Sequence, residues 1–171
     1  MTFTDLEKYF ILRRAADDYE DHVKEKYGEK GRDDFVHILY SQITKDDWDD
    51  LITLEGQIIE IFVRRRWELR KSIFNSNEEE PGRADNKQIP PKTLQIGMFL
   101  FWKYTKITKF EDESDNDFER RKDIHDYLLG YANREMIEDP LVTPKEIIDE
   151  YEKQREKAQN AYDTFLRFME R

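Results

Sequence analysis

The stretch TKDDWDDLITLEGQIIEIFVRRRWELRKSIF, residues 44–74, decides the fold of this chain. Thr44 can cap a helix with its side-chain oxygen, and Asp46 and Asp47 follow in the first turn, where the helix dipole favours negative charge. The apolar residues of the stretch recur at helical spacing. They are Trp48, Leu51, Ile52, Ile58, Ile59, Phe62, Leu69 and Ile73. We therefore expect one helix over Thr44–Phe74, about 45 Å long, as the central element of an all-α protein.

The composition indicates a folded chain with a densely charged surface. Hydrophobic residues make up 37% and charged residues 40% of the 171 residues, which by itself is typical of a disordered chain. The 11 Phe, nine Tyr and three Trp argue against disorder, because disordered segments are poor in aromatic residues. A chain of this length suits one domain, and we expect a single helical domain over 1–171.

The charge and the missing cysteines restrict the function. A formal charge of −10 argues against direct nucleic-acid binding and against anionic membranes, and it suits a basic protein partner. The absence of cysteine excludes disulfides, thiolate catalysis and cysteine-based metal sites. The N-terminus lacks the pattern of a signal peptide, and the most apolar run, Leu94–Tyr104, is too short to span a bilayer. We expect a cytoplasmic protein, or one in a particle assembled in the cytoplasm, with no membrane partner.

Two helices are expected before the long one. The first covers Phe3–Tyr27, and Gly28 and Gly31 bracket a break after it, since glycine commonly follows a helix end. Asp33 or Asp34 can then cap a short second helix.

Three further segments complete the predicted bundle of about five or six helices. Thr93–Phe110 fits either a helix buried on all sides or a strand, and we favour the helix because no second strand is in view. Asp117–Ile137 has helical spacing, and the motif Thr143-Pro144-Lys145-Glu146 combines a capping box with proline at the first helical position. A long polar loop at 75–92 and a short acidic loop at 111–116 separate these helices.

Charged residues inside the apolar arcs of the helices are the candidate functional residues. Glu55 and Arg66 lie on the arc of the long helix, Arg155 on that of the last helix, and Arg13 and Glu20 on that of the first. Buried charges persist only when they are paired and hydrogen-bonded. A Glu55–Arg155 ion pair across packed helices would satisfy this rule. A ligand or catalytic site and an oligomer interface are the alternatives.

Three acidic clusters, at 46–50, 78–80 and 111–117, are interpreted as solvated faces and loops. One alternative is mimicry of a nucleic-acid backbone. The other is a magnesium site of the kind used by all-α nucleotide pyrophosphohydrolases of the MazG and dimeric dUTPase type, which place closely spaced acids on two helices. Glu55 with Glu60, and Glu119 with Asp123 and Asp126, only loosely resemble that arrangement, because their spacing departs from ExxE and ExxD.

The remaining motifs are assigned structural roles. His22, His37 and His125 lie outside or at the edge of the apolar faces and form no metal-binding pair. The basic tract at 64–67, with Arg70 and Lys71, spreads around its helix and lies near the helix C-terminus, where cations complement the dipole. We expect no metal and no cofactor.

The sequence thus favours a non-enzymatic assembly, adaptor or inhibitor protein, including one of phage or viral origin. Its expected partner is a protein, a basic one or a second copy of the chain. The alternatives are the magnesium-dependent nucleotide pyrophosphohydrolase and the acidic nucleic-acid mimic.

Overall fold

The computed structural model describes residues 3–41, 43–74, 79–80, 89–104, 107–138 and 141–170. Within these ranges it contains five α-helices and no strand. They are α1 (Asp5–Leu39), α2 (Lys45–Phe74), α3 (Pro91–Tyr104), α4 (Asp115–Glu138) and α5 (Pro144–Met169). The predicted all-α helical-bundle class is confirmed. No helix in the described part of the chain combines the length and the hydropathy needed to cross a membrane.

The tertiary contacts divide the chain into two compact units. Unit 1 comprises Met1–Ile52 with Lys145–Arg171, and unit 2 comprises Thr53–Pro144. Helix α2 therefore contributes its first two turns to unit 1 and the rest to unit 2. The single domain expected over 1–171 stays a prediction.

Helix α1 is sharply kinked at Gly28, where φ is 77° and ψ is −171°. This conformation is open to glycine and strained for other residues. The break predicted here is confirmed, but the cap predicted at Asp33 or Asp34 is wrong, because the helix has already resumed at Glu29. Gly31 likewise lies inside the resumed helix.

The two arms of α1, residues 5–27 and 29–39, fold back on each other. Arg32 Nε donates a hydrogen bond to Glu20 Oε1 at 2.8 Å, and the guanidinium of Arg13 lies 6.0 Å from the ring centroid of Tyr40. Glu20 meets Arg32, whereas the earlier Arg13 meets the later Tyr40, so the two arms run antiparallel.

Helix α5 packs on both arms and completes a three-helix arrangement in unit 1. The core cluster joins Val23 of the first arm, Phe35 of the second and Phe165 of α5, all buried. Tyr19 Oη donates to Gln159 Oε1 at 2.6 Å and so fastens the first arm to α5.

The cap predicted for α2 is confirmed, and so is the proline predicted at the first helical position of α5. Thr44 Oγ1 accepts a hydrogen bond from the Asp47 amide at 3.3 Å and donates one to the Asp47 carboxylate at 2.6 Å. Helix α2 then runs without a break to Phe74, and α5 begins at Pro144 as its motif indicates.

Unit 2 is built on α3, the segment for which helix and strand competed. It is a helix, and residues 96–101 are all buried, as expected of a helix covered on every side. It ends at Tyr104, before the predicted end at Phe110. Gly97 lies directly against Ile58 of α2, since an added Cβ would come within 2.5 Å of Ile58 Cδ1. Met98 packs with Ile124 of α4 in the core of the unit.

Both predicted loops have different bounds in the structure, since the first ends earlier than predicted and the second both begins and ends earlier. Helix α3 already begins at Pro91, and residues 75–78 and 81–88 of the polar loop lie outside the described residues. Helix α4 begins at Asp115, because Ser114 caps it by accepting a hydrogen bond from the Asp117 amide at 3.2 Å.

Candidate functional site

The four candidate residues from the sequence do not form one cluster within either unit. Glu55, Arg66 and Asp123 belong to unit 2, and Arg155 belongs to unit 1. Glu55 is partly exposed, so the full burial expected of it is not observed, while Arg66 and Asp123 are exposed. Because Glu55 and Arg155 fall in different units, their pairing stays a prediction.

Arg155 lies beside aromatic residues of unit 1. Its guanidinium lies 5.9 Å from the ring centroid of Tyr19, a cation–π distance. Burial opposes its charged form, but the neighbouring Tyr151, Tyr19 and Asp18 more than compensate and raise the pKa of Arg155.

Glu20 in unit 1 is buried, at 7% exposure, and ion-paired. Its carboxylate accepts hydrogen bonds from Arg32 Nε at 2.8 Å and from Arg13 Nη1 at 3.3 Å. Hydrogen bonding to Glu20 raises the pKa of Arg32. The sequence indicated Arg13 and Glu20, but it missed Arg32, which reaches them only because the chain reverses at Gly28.

The acidic loop at 111–116 is folded around a single arginine of α4. Arg121 donates to both oxygens of Glu113, at 2.6 and 2.7 Å, and to the Thr108 carbonyl at 2.7 Å. Its guanidinium also stacks 4.1 Å from the ring centroid of Phe110. The hydrogen bond from Arg121 holds the pKa of Glu113 below its ordinary value of 4.5. Glu113 is therefore a structural anchor, whereas the other acids of this cluster, Glu111, Asp112, Asp115 and Asp117, are exposed as expected.

The acidic residues considered for a magnesium site do not form a group that could bind the metal. No group of three or more His, Asp or Glu side chains that could hold a metal ion occurs among the described residues. Glu119 and Asp126 are exposed, and Glu119 lies 3.9 Å from Lys122.

The basic tract of α2 is partly neutralised within unit 2. Arg64 Nη1 donates to Glu80 Oε1 at 2.7 Å, and Lys71 lies 4.9 Å from the ring centroid of Trp67. Arg66, by contrast, makes no ion pair with another residue in the described part of the chain. His22 and His37 are exposed and His125 is partly buried, so the surface position predicted for the first two is confirmed.

An open pocket of about 470 Å³ in unit 1 has aromatic and charged walls. The rings of Tyr40 and Trp48 meet edge to face there, with their centroids 4.8 Å apart. The lining residues are Asp33, Val36, His37, Tyr40, Ser41, Ile43, Lys45 and Trp48. They come from the second arm of α1, the connection to α2 and the first turn of α2.

Five exposed aspartates accompany this pocket, and we refer to them as the acidic rim. They are Asp33, Asp34, Asp46, Asp49 and Asp50. Each of them either lines the pocket or lies within two residues along the chain of one that does. Unit 1 carries 21 acidic and 14 basic residues, whereas unit 2 carries 18 and 15, so the negative charge is concentrated in the unit that contains the rim.

A second cavity of about 550 Å³ in unit 1, between α1 and α5, has a different character. Its charged lining combines Asp5 with Lys8 and Lys157, so neither sign dominates. The buried Gln154 in its wall donates to Glu150 Oε1 at 3.0 Å.

No family model, no curated protein and no solved structure matches this chain.

Proposed function

We propose that this protein acts by binding another protein through the acidic rim, in an assembly, adaptor or inhibitor role, and does not catalyse a reaction. The observation that carries the proposal is a pocket with aromatic walls that Asp33 lines and that is formed by segments carrying four more exposed aspartates. Electrostatic complementarity of this kind accelerates association and selects partners of opposite charge.

The chemistry of the pocket suits a lysine or arginine side chain of the partner. A cation entering it would meet the carboxylate of Asp33 and the ring of Trp48, which attracts cations at short range. Lys45 also lines the pocket and balances Asp33 within the lining, so the excess of negative charge comes from the other four aspartates of the rim.

The test removes three rim charges and compares the captured partners. We expect wild-type protein to capture a basic protein from extract of its source cells, and the triple variant Asp33→Asn/Asp46→Asn/Asp50→Asn to capture at least tenfold less. Because rim charges are exposed, the capture should also weaken when the salt concentration rises from about 0.05 to 0.5 M, as screening shortens the reach of the charges. Quantitative mass spectrometry of the eluates measures both effects.

The matched control neutralises three exposed acids of unit 1 outside the rim, Glu25→Gln/Glu152→Gln/Glu156→Gln. This variant has the same net charge as the rim variant and should capture the partner as wild type does. Equal losses in both variants, or no loss in the rim variant, would reject the rim as the binding surface. Displacement of the partner by duplex DNA would identify the rim as a nucleic-acid mimic.

A further inference from the structure

Helix α2 presents an apolar side chain to solvent in unit 2. Ile59 is 44% exposed. Gly56, one turn earlier, is exposed as well, and a Cβ added there would meet nothing within 4 Å. The surface of the helix beside Ile59 is therefore open at Gly56.

Four residues share this face at the spacing of a coiled-coil seam. Glu55, Ile59, Phe62 and Arg66 are separated by four, three and four positions, which places them on one side of a helix. Phe62 packs against the core of unit 2, with its ring centroid 5.5 Å from that of Phe101, and remains partly exposed. Glu55 is partly exposed and Arg66 is exposed. The seam thus contains two apolar residues in the middle, one acid near its start and one base near its end.

We propose that this seam binds the same seam of a second copy of the chain, with the two α2 helices antiparallel. The two-fold axis passes between Glu60 and Ile61. In this register Glu55 faces Arg66 of the partner subunit, and Ile59 faces Phe62 of the partner subunit. Each of these pairs occurs twice because a two-fold interface uses the same surface on both subunits.

Charge complementarity selects the antiparallel orientation. A parallel pair would place Glu55 against Glu55 of the partner subunit and Arg66 against Arg66 of the partner subunit, and like charges at such positions are unfavourable. The antiparallel pair removes both repulsions and gives exposed Arg66 a carboxylate. It also covers Ile59, the exposed apolar side chain on this face.

The sequence of α2 continues the same pattern beyond the four residues. Ile52 precedes Ile59 by seven positions and Leu69 follows Phe62 by seven. Ile52 is 51% exposed. The inference goes beyond the proposed function and does not depend on the acidic rim.

Sedimentation velocity on the full chain provides the first test. Wild-type protein between about 10 and 500 µM should approach twice the chain mass of 20.9 kDa. Ile59→Asp, which places a carboxylate against Phe62 of the partner subunit at two positions in the seam, should reduce the mass to that of one chain. The control Phe168→Asp alters an apolar side chain that is 58% exposed on α5 and should leave the dimer intact. Circular dichroism verifies that both variants retain their helices.

Cysteine cross-linking tests the orientation. Because the chain contains no cysteine, only introduced cysteines can form a disulfide. Glu55→Cys/Arg66→Cys should form a covalent dimer on mild oxidation, whereas each single variant should not. The two cysteines of one chain cannot bridge each other, because eleven helical residues separate them by about 16 Å, far beyond disulfide reach.

Three results would overturn the inference. They are a monomer over the whole concentration range, a dimer that Ile59→Asp leaves unchanged, and single-cysteine variants that cross-link as in a parallel pair. None of them affects the proposed function, since the rim variant and its control measure partner capture at residues outside the seam.

Discussion

A single carboxylate, Glu20, shows how residue chemistry holds unit 1 together. It is nearly buried, and it accepts hydrogen bonds from Arg13 on its own arm of α1 and from Arg32 on the opposite arm. A buried charge is costly unless it is paired, so the two arginines and the carboxylate stabilise one another and the reversal of the chain. The apolar cluster of Val23, Phe35 and Phe165 packs the same three elements.

Removing this carboxylate should weaken unit 1. We expect Glu20→Ala to lower the free energy of unfolding by about 2 kcal/mol, below the roughly 3–5 kcal/mol of a fully buried pair, because both arginines remain partly solvated. Urea denaturation measures the change. Glu25→Ala, at an exposed position of the same arm, should shift it by less than about 0.5 kcal/mol. Similar effects of the two substitutions would mean that the ion pair contributes nothing to stability.

At the scale of the element, one glycine converts a long helical segment into two antiparallel arms. Gly28 adopts a positive φ of 77°, which a side chain would strain, and the chain reverses there. Gly56 is the opposite case, because it lies inside the unbroken α2 with open space where a Cβ would stand. One glycine therefore interrupts its helix, whereas the other leaves its helix continuous.

Alanine at these two glycines should change stability in opposite directions. Gly28→Ala should destabilise the protein by roughly 1–3 kcal/mol, since it forces a side chain into a strained backbone region. Gly56→Ala should stabilise it by up to about 1 kcal/mol, because glycine is the poorer helix former. Thermal unfolding monitored by circular dichroism measures both changes. Stabilisation by Gly28→Ala would contradict the conformation described for the kink.

At the scale of the whole molecule, the negative charge is distributed unevenly along the chain. The excess of acids falls mainly in unit 1, and the exposed aspartates of the rim belong to it. Unit 2 holds the basic tract of α2 and the acids Glu55 and Asp123 that the pyrophosphohydrolase alternative requires.

The protein as a whole should bind without turning over nucleotides. We expect no pyrophosphate release when the purified chain is incubated with magnesium and a panel of nucleoside triphosphates, because its acids do not show the spacing of that enzyme type. A coupled pyrophosphate assay provides the measurement. Turnover that disappears in Glu55→Gln or Asp123→Asn would instead support the hydrolase.

The sequence by itself determined the helical elements, because their signals are local. Capping by Thr44, the proline after Thr143 and the break at Gly28 depend on neighbouring residues, and the structure confirms each of them. The choice of helix for α3 needed only the lack of a second strand to pair with it.

Only the tertiary structure decided which charges meet, because those contacts join residues distant in sequence. Arg32 reaches Glu20 across the chain reversal, although neither helical spacing nor local sequence places them together. Arg121 likewise contacts Glu113, Phe110 and the Thr108 carbonyl, so one acid of a loop that is otherwise exposed is held in place. Periodicity identifies an apolar arc, but neighbouring helices determine how much of it is covered, and the exposure of Ile59 emerged only from the packing.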